Sequence, residues 1–127
     1  MAGLNRVQLI GNLGADPEIR SFQNGGRVAH MRVATSESWK DKKTGERHTK
    51  TEWHNVAVFA EGLVKLAEQY LKKGGKVYIE GQLETREYTD KESVKRYATE
   101  IVLRPYGSKI VMLDGPKAGE GADADEA

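Results

Sequence analysis

The chain has 127 residues, with 20 Lys and Arg against 19 Asp and Glu and a formal net charge of +1. That length suits one domain with a core of its own, and the absence of cysteine excludes a disulfide framework, a thiol nucleophile and Cys-ligated zinc or iron–sulfur centres. The charge is uneven, because residues 115–127 hold one Lys and four acids, net −3, which leaves +4 on residues 1–114.

The N-terminus offers no long apolar stretch before Arg6, so neither a secretory signal nor a membrane span is expected and the expected location is the cytoplasm. Residues 4–13 read as a first strand, with Val7 and Leu9 on one face and Arg6 and Gln8 on the other; Gly11, Gly14, Asp16 and Pro17 close it. Residues 18–22 form a short strand before Gln23-Asn24-Gly25-Gly26, a tight-turn signal. The next strand, 27–36, alternates Ala29, Met31 and Val33 against His30 and Arg32. A charged loop is expected over 39–47, with Thr44-Gly45 at its tip.

Residues 51–60, T-E-W-H-N-V-A-V-F-A, read as a strand without Gly or Pro. Parity puts His54, Val56 and Val58 on one face and Trp53, Asn55, Ala57 and Phe59 on the other. If the Val face meets the core, a Trp and a Phe are displayed beside polar groups, which suits stacking against flat ligands such as nucleic-acid bases. The same pattern fits a strand buried on both sides, its aromatics in a second core or an interface. Residues 63–73 carry the helical stripe Leu63, Leu66, Ala67, Tyr70 and Leu71, with Lys72 and Lys73 at the negative end of the helix dipole and Gly74-Gly75 as a left-handed stop. Alternation returns over 76–89, with Val77, Ile79 and Leu83 facing one way and Tyr78, Gln82, Arg86 and Tyr88 the other. A charged loop at 90–95, a strand at 96–103 and a short strand at 108–113 complete the order. Strands interrupted by one helix predict an all-β fold, the five-stranded OB-fold barrel with one short α-helix and long hairpin loops. The domain is expected to span 1–114, and the Gly/Ala-rich acidic segment 115–127 to be disordered.

Candidate ligand residues fall in several places. Trp53 and Phe59 share one strand face, Arg86 and Tyr88 share another, and Trp39 precedes Lys40, Lys42 and Lys43, with Arg47 and Lys50 beyond. Aromatics for bases interleaved with cations for phosphates are what a single-strand groove requires. Trp39 could equally pack at its loop root. Tyr70 and Tyr78 fit a core or interface, as does His54. Signs of catalysis are absent: His30, His48 and His54 have no metal-ligand spacing, no glycine cluster leads into a helix as a phosphate loop, and no nucleophile elbow occurs. A non-enzymatic protein without metal or cofactor is expected.

The motifs V-Q-L-I-G-N-L-G-A-D-P-E-I-R at 7–20, N-G-G at 24–26, A-T-S-E-S-W at 34–39, T-E-W-H at 51–54, Y-L-K-K-G at 70–74 and V-Y-I-E-G-Q-L at 77–83 resemble, in order and spacing, the bacterial single-stranded-DNA-binding family. The resemblance covers residues 4–113. It implies a homotetramer that wraps single-stranded DNA irrespective of sequence, in the nucleoid, during replication, recombination and repair. It implies stacking by Trp39, Trp53, Phe59 and Tyr88, phosphate contacts from Arg6, Arg20, Lys42, Lys73 and Arg86, and interface roles for His54 and Tyr78. Tyr88 stands where the family usually has Trp, Glu87 where a base is common, and Asn55 at another position that is often basic. The chain ends G-A-D-A-D-E-A, without the family's acidic Pro-Phe tip, so recruitment of replication and repair proteins through such a tip is not expected. Within the same fold the alternative is a primosome or RNA-binding protein. In a different class it is an oligomeric adaptor whose aromatic face binds protein.

Overall fold

The computed structural model describes residues 3–113. Seven strands and one helix follow in the order β1 (Val7–Leu13), β2 (Glu18–Ser21), β3 (Arg27–Lys40), β4 (Arg47–Val58), α1 (Glu61–Tyr70), β5 (Lys76–Thr89), β6 (Lys95–Leu103) and β7 (Lys109–Met112). The order across the sheet is β1-β3-β4-β6-β5-β7, and β1 also pairs with β5, so five strands close into a ring of the OB-fold type. β2 is added beside β3, and β7 beside β5. All of these pairings are antiparallel except β4 with β6, joined over Val56–Val58 and Ile101–Leu103.

Two glycines explain how the ring closes. β1 pairs with β5 through residues 7–12 and with β3 at Asn12 and Leu13. Gly11 lies at that transfer, and a Cβ there would overlap the Ala34 carbonyl oxygen. β5 leaves β1 after Gly81 and continues against β6, and a Cβ on Gly81 would stand 2.7 Å from the Val102 carbonyl oxygen. Strands turning a barrel corner need this close backbone approach.

The core lies inside the ring. Met31, Val33, Val56 and Val58 alternate inward from β3 and β4, and meet Val77, Ile79, Leu103 and Ile110. Each large aliphatic side chain so buried stabilises by about 1.5–3 kcal/mol relative to exposure. The helix packs on β3 and β4 through Leu63, Val64, Leu66 and Ala67. Arg27 ties it to the sheet, with Nη2 2.9 Å from Glu61 and Nη1 3.1 Å from Glu68.

Several boundaries differ from those expected of the sequence. The first strand begins at Val7 rather than Leu4. The loop expected over 39–47 shrinks to 41–46, because β3 and β4 pair continuously from Ala29↔Val58 to Lys40↔Arg47. Hydroxyl pairs Ser36–Thr51 and Ser38–Thr49, each at 3.0 Å, extend that ladder. The helix stops at Tyr70, and Leu71 turns extended to bury its side chain. The chain is then drawn back to the sheet by Lys73 N–H on Asp16 Oδ1 (2.8 Å) and Gly74 N–H on the Leu13 carbonyl (2.8 Å). Lys72 and Lys73 are therefore outside the helix, and Gly74, at φ 88°, serves this return turn rather than the helix cap. Tyr70, expected in a core or an interface, lies in the last helical turn and is 59% exposed, so it is not part of the core. Leu83, which shares strand parity with Val77 and Ile79, is nevertheless 49% exposed; it lies past Gly81, where β5 has parted from β1. Among the described residues no helix is long and apolar enough to cross a membrane. The acidic segment 115–127 lies outside the described residues.

Candidate nucleic-acid interface

The continuous β3–β4 register decides what Trp53 meets. Trp53 is opposite Ala34, and Arg32 is opposite Asn55, so all four share one face of the hairpin. That face needs no core packing, and Trp53 is half exposed. Gly14, after β1, provides its seat: a Cβ there would overlap Trp53 Cζ3 and lie 2.9 Å from Cη2. The Arg32 guanidinium lies 4.7 Å from the indole centroid.

The other predicted stacking residues show a related arrangement. Arg86 sits 5.4 Å from the Tyr88 ring centroid, and Arg104 sits 5.0 Å from that of Phe59. Phe59 follows the end of β4 and is half-buried, its N–H on the Leu103 carbonyl at 2.8 Å. Each guanidinium–aromatic contact at an exposed site contributes about 0.5–1 kcal/mol. A guanidinium plane also accepts a stacked base, so an arginine lying on a ring can add to a platform instead of blocking it. Trp39 differs. It is opposite His48, with ring centroids 5.8 Å apart and planes tilted by 33°. It lies five positions beyond Ala34, the partner of Trp53, so unbroken parity turns Trp39 to the other face of the hairpin.

A groove of about 510 Å³ gathers residues from β2 to β6. Arg20, His30, Arg32, Asn55, Arg86 and Tyr88 are among those lining it. Asp16, Glu18 and Glu100 lie in the same walls, so the groove is charge-balanced as it stands. Two of its arginines are held by these acids: Arg20 Nε on Glu18 at 2.7 Å, and Arg86 Nε on Glu100 at 2.8 Å. Among the described residues Arg32 has no ion pair of this kind. Trp53 lines an adjoining groove of about 380 Å³ with Leu9, His54 and Leu83, and Asn55 and Glu100 border both.

The remaining predicted phosphate contacts lie elsewhere. Lys42 is at the tip of the β3–β4 hairpin, and Lys73 is exposed in the turn behind Asp16. Arg6 is beside β5, with Nη1 3.5 Å from buried Glu80. There the Tyr78 hydroxyl donates to Glu80 Oε1 at 2.6 Å and accepts from Gln8 Nε2 at 3.0 Å. The hydrogen bond from Tyr78 holds the Glu80 carboxyl below the usual glutamate value, and the same bond raises the phenol. His54 Nε2 is 2.9 Å from Thr35 Oγ1, on the face opposite Trp53.

Arg32 and Arg104 join the site without being among the residues expected of the sequence. Arg32 was recoverable, because extending the hairpin register back from Thr44-Gly45 puts it on the face of Trp53. For Arg104 no local signal exists, since its approach to Phe59 depends on the parallel β4–β6 contact.

Comparison with known proteins agrees with this architecture. Residues 4–112 match the Single-strand binding protein family. A single-stranded DNA-binding protein of Rhizobium meliloti (strain 1021) is 58% identical over 125 residues, covering 98% of this chain and 71% of the relative. The solved Plasmodium falciparum SSB complex with ssDNA superposes with a TM-score of 0.82 at 37% identity, covering 90% of this chain and 98% of that one. The ring of strands, the displayed aromatics and the length of the match together make this chain a member of the Single-strand binding protein family.

Proposed function

We propose that this chain binds single-stranded DNA without reading its sequence, and so protects and organises strands in replication, recombination and repair. The observation that carries the reading is the set of three aromatics, Trp53, Tyr88 and Phe59, each with an arginine on its ring. Bases stack on the rings, and cations meet the backbone. Arg20, Lys42, Lys73 and Arg86 serve phosphates, with Arg6 further along the strand's path and Arg32 added from its place beside Trp53. Trp39, on the opposite face of the hairpin, extends stacking only if the strand passes around the hairpin, which is what wrapping means for this chain. No chemical step, metal or cofactor enters the reading, and a nucleoid location follows from its ligand.

Assembly belongs to the same proposal. Ile10, Tyr78 and Val111 lie in register across β1, β5 and β7, and Ile10 is 56% exposed. An apolar residue displayed on a sheet face suits burial against another copy, and closed two-fold symmetry favours a homotetramer. His54, half-buried beside Leu9 and the exposed Leu83, fits a second contact of this kind.

Titration of tryptophan fluorescence with oligothymidine, a matched duplex and a matched RNA tests the reading. Tight quenching by the single DNA strand is expected. Equal or tighter binding of duplex, or no quenching at any strand length, overturns it, and preference for RNA turns it to the RNA-binding alternative.

A further inference from the structure

Residues 104–108 join β6 to β7 and display a tyrosine where the backbone disfavours one. Pro105 is followed by Tyr106 at φ 71° and Gly107 at φ 79°. A proline followed by a positive φ is the layout of a type II turn, and glycine is the residue that fills the second position at no steric cost. A bulky residue there is strained. Packing does not account for the choice, because Tyr106 is 93% exposed.

The surroundings are ordered and cationic. Tyr106 borders a cleft of about 310 Å³ whose walls include Asn5, Arg6, Gln82 and Arg104. Asn5 is held at both ends of its amide, donating to the Leu83 carbonyl and accepting from Leu83 N–H, each at 2.8 Å. Arg104 is gripped by Glu84 through Nε at 2.7 Å and Nη2 at 2.8 Å, and the Ser108 hydroxyl donates to the Arg104 carbonyl at 2.8 Å. This grip leaves the Nη1 donors of Arg104 for another acceptor. It also joins the cleft to the main groove. Glu84 is opposite Glu100, which holds Arg86 beside Tyr88, so one face of β5–β6 leads from Tyr88 and Arg86 to Arg104 and Phe59.

We propose that Tyr106, Arg104 and Arg6 form a further nucleotide subsite that carries a single strand past Phe59 and around the end of the barrel. A base stacks on Tyr106, and the adjoining phosphate meets the free donors of Arg104 and the guanidinium of Arg6. The inference rests on the reading of this chain as a single-strand binder. Strained backbone at an exposed aromatic is the stability cost of placing a stacking surface in the path of the strand.

The test uses the full chain, with oligothymidines of increasing length at fixed salt, and records melting temperature and assembly mass. Tyr106→Gly suits the positive φ, so its melting temperature should equal or exceed that of the parent. Its affinity should fall by roughly ten-fold, the loss confined to strands long enough to pass Phe59. Tyr106→Phe, which keeps the ring, should restore tight binding of long strands. Parental affinity of Tyr106→Gly for every length overturns the subsite. So does a change of assembly mass without loss of affinity, which would assign Tyr106 to contact with another copy. Failure of the parent itself to bind any strand would instead defeat the underlying reading.

Discussion

Replacing Arg32 separates phosphate binding from ring packing. Its guanidinium lies on Trp53 at 4.7 Å and, among the described residues, has no carboxylate ion pair, whereas Arg20 and Arg86 in the same groove each have one. In the complex, a charge-assisted contact with phosphate contributes about 1.5–3 kcal/mol before allowance for solvent at this exposed position, and about 1–2 kcal/mol after it. Removing Arg32 also exposes the indole face that it covers in the free chain, which returns about 0.5–1 kcal/mol to binding. The net loss for Arg32→Ala is about 1 kcal/mol, or roughly five-fold in affinity. Affinity alone mixes the two effects, so the slope of log affinity against log salt is the sharper readout. It should flatten by about 0.7, one phosphate's worth on a single strand, because contact with a neutral ring neutralises no phosphate. Asn55 is opposite Arg32 on the same face, where directly opposed Cβ atoms are about 5 Å apart. Arg32→Ala combined with Asn55→Arg should therefore recover the slope. Fluorescence titration with oligothymidine at a series of salt concentrations measures both quantities. An unchanged slope in Arg32→Ala, or no recovery in the double variant, refutes the assignment of a phosphate to this pair of positions.

Gly14→Ala should push the Trp53 ring off its seat, since the new Cβ meets a half-exposed side chain that can move. Affinity for oligothymidine should fall about five-fold, with little change in melting temperature; parental affinity would show that the seat does not set the platform. Glu80 and Glu84 are held below the usual glutamate value of 4.5, by the Tyr78 hydroxyl and the Arg104 guanidinium respectively. A depressed carboxyl contributes stability that is full above the unfolded value and is lost as pH falls through the folded one. Melting temperature should thus decline as pH drops below 4.5, less steeply in Tyr78→Phe, where Glu80 loses the main cause of its shift; parallel curves would refute that cause. His54→Tyr must fit a larger ring beside Thr35 and Leu9, at a cost of about 1–3 kcal/mol if another copy packs there. Sedimentation at micromolar protein should then reveal smaller species, and a parental tetramer would remove His54 from the interface.

Much of the molecule was legible because its signals are local. The alternation around Val56 and Val58, the turn at Asn24-Gly25 and the helical stripe at Leu63, Leu66 and Ala67 each depend on residues within a few positions of one another. Tyr70 escaped this logic. Its angle on the helix fits the stripe, but the chain abandons the helix there so that Leu71 can be buried and Asp16 can take the Lys73 N–H. Leu83 escaped it too, because parity says which side a residue faces and not whether another strand covers that side.

The sequence by itself determined the elements, the inward faces of β3 and β4, and the residue types able to stack on bases or meet phosphates, since side-chain periodicity follows from backbone geometry alone. Tertiary structure decided which cation serves which ring. Arg104 reaches Phe59 only because β4 and β6 run parallel, and Arg86 is positioned by Glu100 only because β5 and β6 pair in one register. Trp39 and Trp53, alike in composition, are divided between two faces by an unbroken hairpin register. Such contacts join residues far apart in the chain. They form only when ring closure at Gly11 and Gly81 brings distant strands within reach.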